Sequence, residues 1–338
     1  MRVTIREVAQ RAGVSVGTAS RVMNGHANVA AAIRERVQQA VSALGYMPSF
    51  MAQSMRRGGT RMIGIIVRDI TIPVLAGFVR AAQDVLQAAD YTLLISCSED
   101  IRSRELALMA QLARRQVDGL IMTTCDEADP ELLAARKAMN LPVVLLDREA
   151  PAPSDSIMMA HAVGMSRAVR SLAAVGHRRI GLVTGDTSVY PARDRVRGYR
   201  EGCESSGLVL DPALIRSRSF SEDQSFVEFS TLLGLRDPPT ALIAGGISML
   251  PAALRAVRSR GLSIPGDLSL IGSADSELAM LSTPPISVIR WSYAELGRVG
   301  AQLLLDRIGG IDAEAGRRIV FPTELIMRES CGPPRHDH

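Results

Sequence analysis

From Met62 onward, apolar runs of about six residues alternate with stretches whose apolar positions recur at helical spacing. The runs read MIGIIV (62–67), YTLLIS (91–96), GLIMTT (119–124), PVVLLD (142–147), RIGLVTG (179–185), TALIAG (240–245) and LSLIG (268–272). Strands this continuously apolar are buried on both faces, so their alternation with helices predicts a parallel sheet covered on both sides. Two successive sets of such units predict two lobes, and the fold class is α/β.

The first 46 residues follow a different pattern. Thr4-x-x-Glu7 is a capping box that starts a helix near Ile5, with Ile5, Val8, Ala9 and Ala12 on one apolar stripe. Gly13 supplies a sharp turn. Ser15 caps a second helix that ends at Asn24-Gly25. A third helix is predicted over 30–44, with Ile33, Val37, Val41 and Leu44 on one face and Gly45 as its stop. Helix, Gly-containing turn, helix is the helix-turn-helix pattern, so this part is an all-α head.

Charge sharpens that picture. Residues 1–61 hold nine arginines against Glu7 and Glu35, a net +7, so the other 277 residues carry −3 of the chain's +4. A cationic head with so few balancing acids points to a polyanion, DNA or RNA. Composition adds little more. At 47% hydrophobic and 22% charged the chain is an ordinary globular one, which argues against disorder. No apolar stretch reaches 18 residues and no secretory signal is present, so no membrane partner is expected and the expected location is the cytoplasm. Cys97, Cys125, Cys203 and Cys331 are far apart and form no Cys-x-x-Cys pair, so reduced thiols are expected and neither a metal nor a cofactor is implied.

The string Thr4-Ile5-x-x-Val8-Ala9-x-x-Ala12-Gly13-Val14-Ser15-x-x-Thr18-x-Ser20-Arg21-Val22-x-Asn24-Gly25 closely resembles the head of LacI/GalR-family transcription regulators. Arg34-x-x-Val37 leading to Leu44-Gly45-Tyr46-x-Pro48 extends the likeness. The resemblance implies that the second helix enters the major groove by its N-terminal end. It implies base-reading positions at Val16, Gly17 and Arg21, where Arg21 can pair a guanine in bidentate fashion and Val16 can touch a thymine methyl. Thr4, Ser15, Thr18, Ser20 and Asn24 match phosphate-contacting positions, and Tyr46 belongs to the same DNA-facing set. One departure stands out. The family's Ser or Thr cap on the third helix is missing in Asn28-Val29-Ala30-Ala31-Ala32, a loss of about 1 kcal/mol unless Asn28 compensates from upstream.

Residues 47–61 are read as hinge helix and linker. Ser49 can cap one or two turns through Met55, and Gly58-Gly59 breaks them. From the residues alone the segment is either a flexible linker or one that folds only on DNA. The resemblance implies the second, with Met55 as the apolar wedge in the minor groove, Ala52 beside it, and Arg56 and Arg57 at phosphates.

In the body the resemblance rests on Gln116-Val117-Asp118-Gly119-Leu120-Ile121, Asp147-Arg148, Gly176-His177-Arg178-Arg179-Ile180 and Arg193-x-Arg195-x-x-Gly198-Tyr199. Pro238-Pro239-Thr240-Ala241, Pro284-Pro285, Glu295-Leu296-Gly297 and Met327-Arg328-Glu329-Ser330 continue it. It implies a two-lobed, periplasmic-binding-protein-like body over 62–330, with the N-lobe at 62–160 and 292–320, the C-lobe at 161–291 and 321–330, and a tail at 331–338. A small-molecule effector would sit between the lobes. Several polar cleft positions of sugar-binding relatives are replaced here: Gly245-Gly246 stands for Asn-Asp, Ser273-Ala274-Asp275 has lost an acid, and Ala160-His161 stands for Asp-Asn. What remains implied at the effector is Val74, Leu75, Thr123, Arg148, His161, Arg195, Phe220, Gly245, Ser273, Asp275 and Trp291. That set leans basic and aromatic, so a sugar acid or another anionic, partly apolar ligand is expected over a neutral sugar. The alternatives remain that Arg195 bonds a backbone carbonyl or Asp194, and that Trp291 only fills a hinge.

An enzyme is disfavoured: the chain has no Gly-x-Gly-x-x-Gly, no Walker loop and no Gly-x-Ser-x-Gly. The expected function is a transcription regulator, a repressor, that binds a pseudo-palindromic operator as a homodimer under effector control. A regulator with a degenerate cleft is the alternative. The tail has no leucine heptad, so a dimer is expected rather than a tetramer.

Overall fold

The computed structural model describes residues 3–26, 28–46, 59–149, 151, 154–311 and 316–335. The chain divides into two compact units, 1–61 and 62–338.

The first unit holds α1 (Ile5–Ala12), α2 (Val16–Met23) and α3 (Ala31–Leu44). Thr4 and Glu7 form the capping box, with the Thr4 amide donating to Glu7 Oε2 at 2.7 Å. Gly13 follows at φ 61°, in the left-handed region where a side chain is strained. A Cβ there would also lie 2.7 Å from Arg36 Nη2, because Arg36 reaches across from α3 to donate to the carbonyls of Ala12 and Gly13. Val8, Ala9, Ala12, Ala19, Val22, Val37 and Ala40 form the small core. The third helix begins at Ala31, and its N-cap Ala30 makes no side-chain capping bond, so Asn28 does not supply the missing cap.

The second unit is built on two six-stranded sheets. The first contains β1 (Met62–Val67), β2 (Thr92–Cys97), β3 (Gly119–Met122), β4 (Val143–Leu146), β5 (Asp155–Met159) and β11 (Arg318–Phe321), in the order β11-β5-β4-β3-β1-β2. The second contains β6 (Ile180–Thr184), β7 (Ile215–Ser217), β8 (Ala241–Ala244), β9 (Ser269–Ser273), β10 (Ser287–Arg290) and β12 (Glu324–Ile326), in the order β12-β10-β9-β8-β6-β7. Every pairing is parallel except β10 with β12. The helices are α4 (Pro73–Ala88), α5 (Arg102–Arg114), α6 (Pro130–Ala138), α7 (His161–Ala174), α8 (Tyr190–Ser205), α9 (Glu222–Leu233), α10 (Leu250–Ser259), α11 (Glu277–Leu281) and α12 (Tyr293–Ile308). Helix α4 packs on α12 in the first lobe, and α7 on α8 in the second.

The chain passes between the sheets three times: from β5 to α7, from β10 to α12, and from β11 to β12. In each sheet the strand order reverses at one place, between β1 and β3 and between β6 and β8. Loops leaving neighbouring strands there turn to opposite faces and open a crevice at the strands' carboxyl ends, where ligands bind in such sheets. Among the described residues, no helix is long and apolar enough to cross a membrane.

Candidate functional site

Two surfaces carry chemistry: the outer face of α2, and the crevice between the lobes of the second unit.

On α2, Ala19 and Val22 face the head's core, which leaves positions 16, 17, 21 and 24 exposed. Val16 is 43% exposed although apolar. Arg21 donates through Nε to the Gly17 carbonyl at 3.3 Å, which holds its guanidinium against the first turn of the helix. Ser15 caps α2 by accepting from the Thr18 amide at 3.1 Å, and its hydroxyl also meets that of Thr18 at 2.9 Å. Asn24 donates to Ser20 Oγ at 3.3 Å. Tyr46 packs partly buried against the head's core. Ala52, Met55 and Arg56 lie outside the described residues.

The crevice encloses a cavity of about 90 Å³. Its first-lobe wall comes from the carboxyl ends of β1, β2, β3 and β4, which bring Arg68, Asp100, Thr123, and Asp147 with Arg148. The second lobe contributes Arg195 from α8, Phe220, and Ile247-Ser248 after β8. Trp291 and Tyr293 come from the crossing between β10 and α12.

Five buried side-chain polar atoms among the described residues have no well-formed hydrogen bond, and four belong to residues that line this cavity: Asp100 Oδ1, Thr123 Oγ1, Arg195 Nη1 and Trp291 Nε1, the last beside the Tyr293 hydroxyl. A buried polar atom left unpaired costs about 1–3 kcal/mol, more when charged. Four such atoms on residues around one cavity make it the candidate ligand site.

Electrostatics agree. The lining has three guanidinium groups, on Arg68, Arg148 and Arg195, against the carboxylates of Asp100 and Asp147. Arg148 spends its donors on the carbonyls of Thr124 (2.6 Å) and Asp147 (2.9 Å). Arg195 is 4% exposed, with its guanidinium 5.7 Å from the Phe220 ring centre. Burial weakens its hold on the proton, yet a guanidinium remains charged at neutral pH. Burial also pushes the Asp100 carboxyl above its ordinary range, against the pull of Arg148 and Arg68. At Asp147 burial acts in the same sense, but His161, Arg195 and Arg148 outweigh it and hold the carboxyl below the usual range. The His161 imidazole is pushed down by burial and by the charge of Arg195, so it is the neutral ring whose Nε2–H donates to Asp147 at 2.9 Å. Its ring meets Trp291 edge-on at 5.2 Å, so His161 supports the wall from behind.

Residues 4–49 match the model for "Bacterial regulatory proteins, lacI family", and residues 169–331 match a "Periplasmic binding protein-like domain". The ribose operon repressor of Haemophilus influenzae strain Rd is 32% identical over 97% of this chain and 98% of its own length. The transcriptional repressor PurR of Aliivibrio salmonicida is 31% identical over 97% and 98%. The chain belongs to the lacI family of bacterial regulatory proteins. Among solved structures, it resembles the lac repressor dimer bound to operator and the anti-inducer ONPF, with a TM-score of 0.82, 28% identity, and 98% and 99% of the two chains covered. The complex of the regulator CelR with cellobiose gives 0.73, 29%, and 97% and 100%. As a lacI-family member the chain is a DNA-binding transcription regulator and not an enzyme.

The family position of a residue did not always carry its contact. Leu75, Thr123, Arg148, Arg195, Phe220 and Trp291 line the cavity. Val74, His161, Gly245, Ser273 and Asp275 are not among the residues that line it. Val74 packs into the first lobe's apolar core. Asp275 is held away by Arg328 at 2.6 Å and Arg290 at 3.5 Å. Gly245 donates to the Val183 carbonyl at 2.7 Å, and a Cβ there would lie 2.8 Å from that oxygen. Ser273 is buried at the end of β9, paired with Ile289. Nor does Arg195 spend its whole guanidinium on Asp194 or a carbonyl, since Nη1 is unpartnered. Conversely, Arg68, Asp100 and Ser248 line the cavity without having been singled out. Their loops are far apart in sequence, and only the positive φ at Asp100 (56°), visible in the structure, marks one of them as unusual.

Proposed function

We propose that this protein is a cytoplasmic repressor that binds a pseudo-palindromic operator as a homodimer and is controlled by a small anionic, partly apolar metabolite held between its lobes. The observation that carries the effector reading is the set of four unpartnered buried polar atoms around one net-cationic, largely apolar cavity. A degenerate cleft would have no reason to keep them, because apolar replacements would remove the cost. The base-reading residues are Val16, Gly17 and Arg21, with Ser15, Thr18, Ser20 and Asn24 at phosphates. Dimerisation is supported by the second lobe's bare apolar side chains, Leu281 at 80% exposed and Val227 at 58%, with Leu278 and Met280 beside Leu281 in sequence. A single recognition helix reads half a site, and a two-fold pair reads a palindrome.

The test has two steps. Selection of binding sites from random duplex DNA with the purified protein should return an inverted repeat; an unpaired half-site would sink the dimer reading. Small carboxylates should then change operator affinity, and Arg195→Ala should lose that response by about 30-fold or more in effector affinity while keeping operator binding. A full response from Arg195→Ala would remove the effector from this cavity.

A further inference from the structure

The four unpartnered atoms differ in what they can bind. Arg195 Nη1 and Trp291 Nε1 only donate, Thr123 Oγ1 can do either, and ionised Asp100 Oδ1 only accepts. A ligand satisfying all four must therefore present an acceptor, best charged, to the Arg195 and Trp291 side, and a hydrogen-bond donor to Asp100. The donor end is set by a specific piece of backbone. Glu99 and Asp100 are consecutive non-glycine residues at positive φ, 55° and 56°, directly after β2. Two adjacent residues in that region are costly unless the surroundings fix them. Here the Glu99 amide is tied to the Arg68 carbonyl at 2.9 Å, while Asp100 Oδ2 lies 3.7 Å from Arg68 Nε and leaves Oδ1 bare.

Three further constraints narrow the ligand. The two carboxylates and three guanidinium groups of the lining leave one positive charge to be balanced, which a monoanion does and a zwitterion does not. The remaining wall is mainly hydrocarbon, from Ile72, Leu75, Leu146, Met159, Phe220 and Ile247. Its polar side chains are few beside that hydrocarbon, which suits a partly apolar ligand better than one covered in hydroxyls. At about 90 Å³ the cavity is small beside the roughly 300–1,000 Å³ of ordinary ligand pockets, so it suits a short ligand.

Resting on the anionic-effector reading above, we infer that the ligand is a short monocarboxylic hydroxy acid. Its carboxylate is taken by Arg195 and Trp291, its hydroxyl donates to Asp100, and its hydrocarbon lies between them. Asp100 is then the residue that sets specificity for the hydroxyl, and Arg195 the one that sets it for the charge.

The test uses the full-length protein, with calorimetry or the fluorescence of Trp291 as readout and four probes: 3-hydroxybutyrate, butyrate, 3-aminobutyrate and D-ribose. In the wild type 3-hydroxybutyrate should bind about tenfold or more tightly than butyrate, since a hydrogen bond to a charged acceptor is at stake. In Asp100→Ala that ratio should fall towards one. Asp100→Asn, which tolerates the left-handed backbone and keeps a neutral acceptor, should give an intermediate ratio. Equal binding of butyrate and 3-hydroxybutyrate to the wild type, or an undiminished ratio in both variants, would overturn the inference and leave the anionic effector standing. Preference for 3-aminobutyrate would replace the hydroxyl by an ammonium and overturn it as well. Binding of D-ribose with none of the three carboxylates would overturn the anionic effector itself.

Discussion

Asp155 shows what a fully buried carboxylate requires. It is 0% exposed and accepts from Arg307 Nε and Nη2 at 3.0 and 2.8 Å, from Arg317 Nη2 at 2.9 Å and from the Arg317 amide at 2.7 Å. Burial alone would favour the neutral acid, but the two arginines outweigh it and hold the carboxyl below 3.8. A depressed folded pKa means stability that is present above the unfolded value and lost as pH falls through the folded one. Asp155→Asn should therefore destabilise the protein by about 2–3 kcal/mol at pH 7, because it removes the buried carboxylate that the half-buried Arg307 and Arg317 share. In melting curves the gap between wild type and variant should close as pH falls below 3.8. A gap that stayed constant with pH would mean the loss is one of shape and not of charge. Site residues divide by the same kind of reasoning. Arg195 and Trp291 were expected at the crevice because the resemblance implies them there, and both line the cavity. Asp100 and Ser248 were not, because nothing in a local pattern says that the loop after β2 and the loop after β8 meet across 148 residues. A local pattern likewise does not reveal that the Asp275 carboxylate pairs with Arg328 and Arg290.

At the level of elements, the seven apolar runs became β1, β2, β3, β4, β6, β8 and β9, all but the edge strand β2 largely buried. The strands that escaped notice are short or carry polar residues: DSIMM, IRS, SVIR, RIVF and ELI. All five lie at a sheet edge or beside one, and β10 and β12 flank the crossings, so neighbours and not their own pattern make them strands. Helix packing carries a sharper constraint. Gly198 on α8 sits so close to the start of α7 that a Cβ would lie 2.3 Å from the Ala162 carbonyl oxygen and 2.4 Å from its Cα. Those are backbone atoms and cannot rotate away. Alanine would gain about 1 kcal/mol of helix propensity, but overpacking against backbone costs about 1–3 kcal/mol, and displacing two packed helices puts this site at the upper end. Gly198→Ala should lower the denaturant midpoint, by a net of about 1–2 kcal/mol. Because α8 also carries Arg195, it should weaken effector binding too. An unchanged or raised midpoint would show that the helices separate without cost.

On the scale of the whole ligand-binding unit, the question is what holds the crevice closed before a ligand arrives. Helix α8 belongs to the second lobe, and its N-cap Val189 offers no side-chain acceptor for the helix's free amides. The acceptor comes from the other lobe. Glu127, on the loop after β3, takes the Tyr190 amide on Oε1 at 2.8 Å and the Glu149 amide at 3.2 Å, and pairs with Arg193 through Oε2. Arg193 also reaches Glu149 at 2.8 Å. A second bond crosses the crevice from Arg68 to Ser248 Oγ at 2.8 Å. Opening the lobes would strip α8 of its cap and part Arg193 from two carboxylates, so Glu127 biases the unit towards the closed, binding-competent state. Its contribution is about 1–2 kcal/mol, kept low because Arg193 is partly solvated. Apparent affinity falls with the fraction of molecules in the competent state. Glu127→Ala should therefore weaken effector binding by roughly five- to thirtyfold. Since Glu127 does not line the cavity, the ranking of probe ligands should stay as it is, whereas Arg195→Ala should change that ranking. The same variant should increase the radius of gyration in X-ray scattering without ligand, and saturating ligand should bring it back. Identical scattering and identical affinity would mean that the other bonds between the lobes, among them Arg68–Ser248 and His161–Asp147, hold them without Glu127.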